Sequence, residues 1–149
     1  MKIRTDFVTN SSSSSFILGF KDEQDMENEI KKHAPINYIS QIYNDAERNI
    51  ISKDEALNIF KDVIRWEAYW EVTESFPSRK EFREFRETQK DELEKLIEEK
   101  EKTLIEEFTA KISNLNFFAL VNYDDHVNGE LEHIIMPQMP FTVYRINEH

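Results

Sequence analysis

A chain of 149 residues has the length of one ordinary domain and can bury a real core. With 39% hydrophobic, 12% aromatic and 33% charged residues, it is too apolar for a disordered chain and too charged for a membrane protein. Cysteine is absent, which excludes disulfides, thiolate catalysis and Cys-ligated zinc, and a net charge of −11 opposes direct contact with nucleic acid phosphates or a membrane surface.

No run approaches the ~18 consecutive apolar residues of a spanning helix. No apolar segment follows the basic start, as a secretory signal would require, so a cytoplasmic location is expected. Only 2 glycines and 4 prolines argue against a loop-rich sandwich and for long helices. The acidity is spread along the chain after residue 20 instead of forming a tail, which suits a folded surface.

The serines at 11–15 lead into Phe16-Ile17-Leu18-Gly19-Phe20, a short apolar run that predicts a buried strand over about 14–20. Alternate serines can extend this strand while the others face solvent. A phosphate-binding reading of the run lacks the glycines and the lysine of a P-loop, so a strand lead-in is preferred. Residues 22–33 predict a short acidic helix with Met26 and Ile30 inward, ended by Pro35. Ile36, Ile39, Ile42, Tyr43, Ala46 and Ile50 recur at helical spacing and predict a second helix over 36–50.

Two capping boxes follow, Ser52-Lys53-Asp54-Glu55 and Ser78-Arg79-Lys80-Glu81. The first predicts a helix over 53–75. Its apolar residues, from Leu57 to Val72, wrap more than one face. The second predicts an unbroken helix over about 79–113, in which Phe82, Leu93 and Leu104, and likewise Ile97 and Phe108, are spaced by 11. That interval stays near a straight helix and does not sustain a heptad, so an antiparallel hairpin within the chain is favoured over a dimeric coiled coil. Residues 116–123 and 141–146 read as strands. Between them lie the turn Asp124-Asp125-His126-Val127-Asn128-Gly129 and a short helix stopped by Pro137. Strand, short helix, strand predicts a parallel, right-handed crossover.

The fold class expected is α+β: a small three-stranded sheet covered by helices, with an inserted long antiparallel helical hairpin. The chain reads as a single domain over 1–149, with 1–20 and 114–149 as sheet core, 21–51 as short helices and 52–113 as hairpin.

The opening Phe7-Val8-Thr9-Asn10, the serine run and Phe16-Ile17 resemble a leader of uncharacterised small proteins of bacteria and their phages. The ending is similar to that group as well, in Gly129-Glu130-Leu131-Glu132-His133, Met136-Pro137 and Pro140-Phe141-Thr142. The resemblance touches the two ends and leaves the middle helices unmatched. It implies a bacterial cytoplasmic setting, often mobile elements, and no particular reaction. By analogy, a short acidic protein in that setting suits the inhibition of a host defence nuclease, as anti-CRISPR proteins do.

Two groups of residues can carry function. Strands in parallel would bring Asp124, Asp125 and His126 to the same sheet edge as His149, with Glu130 and His133 one helical turn apart. Carboxylate and imidazole together suit a divalent metal such as Mn²⁺, Zn²⁺ or Fe²⁺, which could activate water for hydrolysis. The same Asp-Asp-His is also ordinary turn chemistry. On the hairpin, Trp66, Tyr69 and Trp70 can anchor a partner or fill a core stripe. Glu84, Glu87, Asp91 and Glu98 supply negative charge along the second helix, where Arg79, Lys80, Arg83 and Arg86 form a basic cluster diluted by glutamates. The leading expectation is therefore a non-enzymatic acidic protein that needs no cofactor and binds another protein, such as a host nucleic-acid-handling enzyme, by mimicking phosphate. A metal-dependent hydrolase or nuclease using the Asp/His/Glu cluster is the alternative, and a homodimer through Trp66 and Trp70 is a third reading.

Overall fold

β1, Ser13–Phe20, is the central strand of a four-stranded sheet ordered β2-β3-β1-β4, with β2 at Ile50–Ile51, β3 at Phe117–Asp124 and β4 at Thr142–Glu148. The computed structural model describes residues 13–148, Glu148 without its side chain. Among these residues no helix is long and apolar enough to cross a membrane.

Every ladder in the sheet is antiparallel. β3 and β4 do run in the same direction, but β1 lies between them, so the expected bonded parallel pair does not form. The apolar run Phe16 through Phe20 is buried on both faces, which suits an inner strand with neighbours on either side. The shared edge survives this correction, because Ser13 is paired with Asp124 on one side and Glu148 on the other. Ser11 and Ser12 lie outside the described residues; Ser14 and Ser15 are both buried, so these two do not alternate between core and solvent. The fourth strand, β2, falls where the second helix was expected to end; Ile50 pairs with Ala119 and Ile51 with Phe118.

The described residues divide into two compact units, one formed by residues 13–56 with 114–148 and one by residues 57–113. In the first, Phe16, Leu18 and Phe20 project from one face of β1 beside Ala119, Val121 and Tyr123 of β3. Two helices cover this face. α1, Glu23–His33, is capped by the Asp22 carboxylate, which accepts from Asp25 N at 2.7 Å, and buries Met26 and Ile30. α2, Ile39–Glu47, follows a 3₁₀ turn over Ile36–Tyr38 and buries Ile42 and Ala46. The helix expected over 36–50 is thus shortened at both ends, and Ile36 lies in solvent. Each fully buried Phe, Leu or Ile of this core contributes roughly 1.5–3 kcal/mol.

The second unit is an antiparallel helical arm. α3, Lys53–Glu74, begins at the expected box, with Glu55 N donating to Ser52 Oγ and Ser52 N to Glu55 Oε1, both at 3.0 Å. Phe60 of α3 stacks on Phe108 of α5, Lys90–Lys111, with ring centroids 4.0 Å apart. Arg65 of α3 bridges Glu94 and Glu101 of α5, the latter at 2.8 Å. The expected long second helix is interrupted. α4, Arg79–Thr88, ends at Gln89, whose φ of −134° and ψ of 58° are not helical and whose N–H closes onto Phe85 O. Thr88 adds a competing bond from its hydroxyl to Glu84 O. The bend leaves Phe82 of α4 and Leu93 and Ile97 of α5 in one cluster with Ala68 and Val72.

Candidate functional site

At the sheet edge the predicted ligand set is dispersed. Asp124 ends β3 and spends its carboxylate on the turn, Oδ1 accepting from His126 N at 3.0 Å and Val127 N at 2.9 Å. Asp125 and His126 are exposed on that turn. Glu130 accepts from the hydroxyl of Tyr38, and that bond raises the phenol's pKa. Leu131–Ile135 forms a π turn, wider than an α-helical turn, so the expected α-helical spacing of Glu130 and His133 is not kept, and both are exposed. His149 lies outside the described residues. Among the described residues, no group of three or more His, Asp or Glu side chains is placed to hold a metal ion.

The π turn instead carries Glu132 inward, a residue the sequence pattern did not single out. Glu132 is 1% exposed, and its Oε2 accepts from the fully buried Ser14 Oγ at 2.8 Å. Arg145 of β4 donates through Nε to Ser14 Oγ at 3.2 Å, places Nη2 3.8 Å from Glu132 Oε2, and lies over the Phe16 ring at 5.7 Å. His133 Nε2 approaches the other carboxylate oxygen, Oε1, at 3.3 Å. Asn147 Oδ1 stands 3.4 Å from the same serine hydroxyl, a longer contact than the one to Glu132. A carboxylate beside a serine hydroxyl is a base beside a nucleophile in chemical type. Here both groups are sealed from solvent and held by a guanidinium, so the cluster clamps β1, β4 and the π turn together. The sequence held one signal for it: Arg145 is the only Lys or Arg after residue 113, while Glu132 stands between Leu131 and the apolar pair Ile134-Ile135.

A cleft of about 400 Å³ opens on the β2 side of β3, lined by Gln41, Asp45, Asn49, Asn122, Tyr123 and Asn128 among others. Its groups are tied to one another. Gln41 Nε2 donates to Asn128 Oδ1 and the Tyr123 hydroxyl to Asp45 Oδ2, both at 2.9 Å, and Asn49 Nδ2 donates to Asp45 O at 2.7 Å. Among the described residues, no Lys, Arg or His lines it.

On the helical arm the aromatic residues separate cleanly. Phe60, Ile64, Ala68 and Val72 form the buried stripe of α3, and Tyr69 is half-buried. Trp66 and Trp70 point away from it, 70% and 56% exposed. Both indoles meet Tyr69 edge to face, at 6.3 and 5.8 Å, and Tyr69 in turn meets the buried Phe82 edge to face at 5.8 Å. The pair is therefore braced from behind and open in front. Glu84 and Glu87 on α4 and Asp91 and Glu98 on α5 are all exposed, with Glu87 and Asp91 on either side of the Gln89 bend.

Family models, curated proteins and solved structures give no match to this chain. Its chemistry is accordingly read from its own side chains.

Proposed function

We propose that the protein is a non-enzymatic, acidic protein-binding module that docks through its helical arm. The observation that carries this reading is the exposure of Trp66 and Trp70 side by side on one face of α3, with Tyr69 fixing both rings. Two solvent-exposed tryptophans cost a folded chain apolar hydration, and aromatic anchors of this kind concentrate binding energy at protein interfaces. The exposed carboxylates of Glu84, Glu87, Asp91 and Glu98 suit a partner with a positively charged groove, such as a host enzyme that handles nucleic acid, where they would stand in for phosphates.

The test is capture on the immobilised protein, comparing the parent chain with Trp66→Ser/Trp70→Ser and with Glu84→Lys/Glu87→Lys/Asp91→Lys/Glu98→Lys. The reading requires one polypeptide retained by the parent, released by raised salt and lost with either set of changes. Retention unaltered by the tryptophan changes overturns it.

A further inference from the structure

The outer face of α3 has a second periodicity beneath the tryptophan pair. Ile59, Val63, Trp66 and Trp70 follow one another at intervals of four, three and four residues, which is the spacing of a coiled-coil seam. Ile59 and Val63 are half-buried and the two tryptophans are open. The stripe spans 12 residues, about 16 Å from first to last at ~1.5 Å per step, or three turns of helix.

Three of the five residues at the flanking positions of this seam are acidic, the other two being the buried Phe60 and the half-buried Tyr69. Asp62 occupies one flank, and Glu67 and Glu74 occupy the other, at the positions that choose partners in coiled coils. All three are exposed. After Arg65 the helix has no Lys or Arg, and its last turn has no basic residue to offset the carbonyl end of the helix dipole beside Trp70. Arg65 is committed to Glu94 and Glu101, and Arg86 of α4 sits over the Phe82 ring. The faces of the two indoles add the negative side of their ring quadrupoles. The stripe is thus apolar along its middle, with a carboxylate at Asp62 on one margin and at Glu67 and Glu74 on the other.

We infer that this stripe takes a basic amphipathic helix of another protein, with apolar side chains laid along Ile59, Val63, Trp66 and Trp70 and Lys or Arg facing Asp62, Glu67 and Glu74. The inference rests on the reading of α3 as the docking face and adds the partner's secondary structure and the residues its positive charges face. A second copy of this chain is a poor occupant, because pairing the stripe with itself sets acidic margins against acidic margins. An anionic membrane or a nucleic acid is opposed by the same charges.

The protein contains only two tryptophans, both in the stripe, so indole emission reports occupancy of this surface alone. The probes are two synthetic peptides of about three heptads with Leu along the seam, one with Lys and one with Glu at the flanking positions. The lysine peptide is expected to shift emission to the blue and to saturate, binding at least about tenfold more tightly than the glutamate peptide. Added salt should narrow that gap, and Asp62→Lys/Glu67→Lys/Glu74→Lys should reverse the preference. Should that variant misfold by circular dichroism, Asp62→Asn/Glu67→Gln/Glu74→Gln must still erase the preference. Neutralising Glu106 and Glu107 of α5 should leave it intact. Equal binding of both peptides overturns the charge assignment while leaving α3 as a docking face. No emission change with either peptide overturns both. Self-association on concentration, lost in Trp66→Ser/Trp70→Ser by light scattering, would make a second copy the occupant and overturn the assignment to another protein.

Discussion

Ser14 Oγ donates to Glu132 Oε2 at 2.8 Å, joining β1 to a turn 118 residues later in the chain. A buried carboxylate is tolerated only while hydrogen-bonded and charge-paired, and here Ser14 and Arg145 share that duty. Ser14→Ala removes the short bond and is expected to cost about 1.5–3 kcal/mol by urea unfolding. Glu132→Met removes the need for the bond. The double variant should therefore lose less than the sum of the singles, with a coupling above about 1 kcal/mol. Additive losses would show that the two side chains act independently.

Gly19 is required by space alone. A Cβ there would lie 2.8 Å from Leu115 Cδ1, 3.1 Å from Phe118 Cε2 and 3.2 Å from Val143 Cγ1. The β1–β4 register also skips a residue at this point, Ile17 pairing with Tyr144 and Leu18 with Thr142. Gly19→Ala gains strand propensity and loses more to overpacking, for a net cost of about 1–3 kcal/mol. Gly19→Ala with Leu115→Ala should lose less than the sum of the two single changes; additive losses would contradict the steric account.

The contrast between what the residues foretold and what they hid has physical causes. The strand at Phe16, the two Ser-x-x-Glu starts and the antiparallel arm rest on local chemistry or on periodicity, which a sequence displays directly. The bend at Gln89 escaped because the 11-residue interval from Phe82 to Leu93 passes across it unchanged, so a broken helix and a straight one carry the same apolar pattern. β2 escaped because two residues make no pattern, and Ile50 fits a helical spacing as well as a strand. Glu132 contradicts its own neighbourhood as a charge at a core position. Its partners Ser14 and Arg145 come from opposite ends of the chain, so only tertiary structure brings the three together. The tryptophan pair was legible by residue type, while which side of α3 it would occupy depended on the stripe that packs on α5.

The two helix starts differ in completeness but share one bond accepted by a serine hydroxyl. Ser52 and Glu55 exchange bonds in both directions, whereas at α4 the bond is Glu81 N donating to Ser78 Oγ at 3.1 Å. Ser52→Ala and Ser78→Ala should each cost about 1 kcal/mol. Hydrogen exchange should quicken first at the amides of Glu55 and Glu81, the donors that lose their acceptor. Unchanged exchange at those two amides would show that the hydroxyls do not cap.

Tyr123 makes stability depend on alkaline pH. Burial first, then the hydrogen bond to Asp45 and that carboxylate's charge, raise its phenol far above the ordinary value of 10.0. Because the folded pKa lies above the unfolded one, the stabilisation is complete below about pH 10 and declines as pH rises beyond it, toward the folded pKa. The unfolded chain loses the proton while the folded chain keeps it, so this group contributes a slope approaching about 1.4 kcal/mol per pH unit above that point. Tyr38 and Tyr43 also have raised phenols, from hydrogen bonds to Glu130 and Glu47, so part of the alkaline slope persists without Tyr123. Tyr123→Phe should lose about 1 kcal/mol at neutral pH with the bond to Asp45. Its urea midpoint should then fall less steeply than that of the parent between pH 10 and 11. Parallel slopes for the two proteins would mean that Tyr123 ionises as readily in the folded sheet as in the open chain, which its burial forbids.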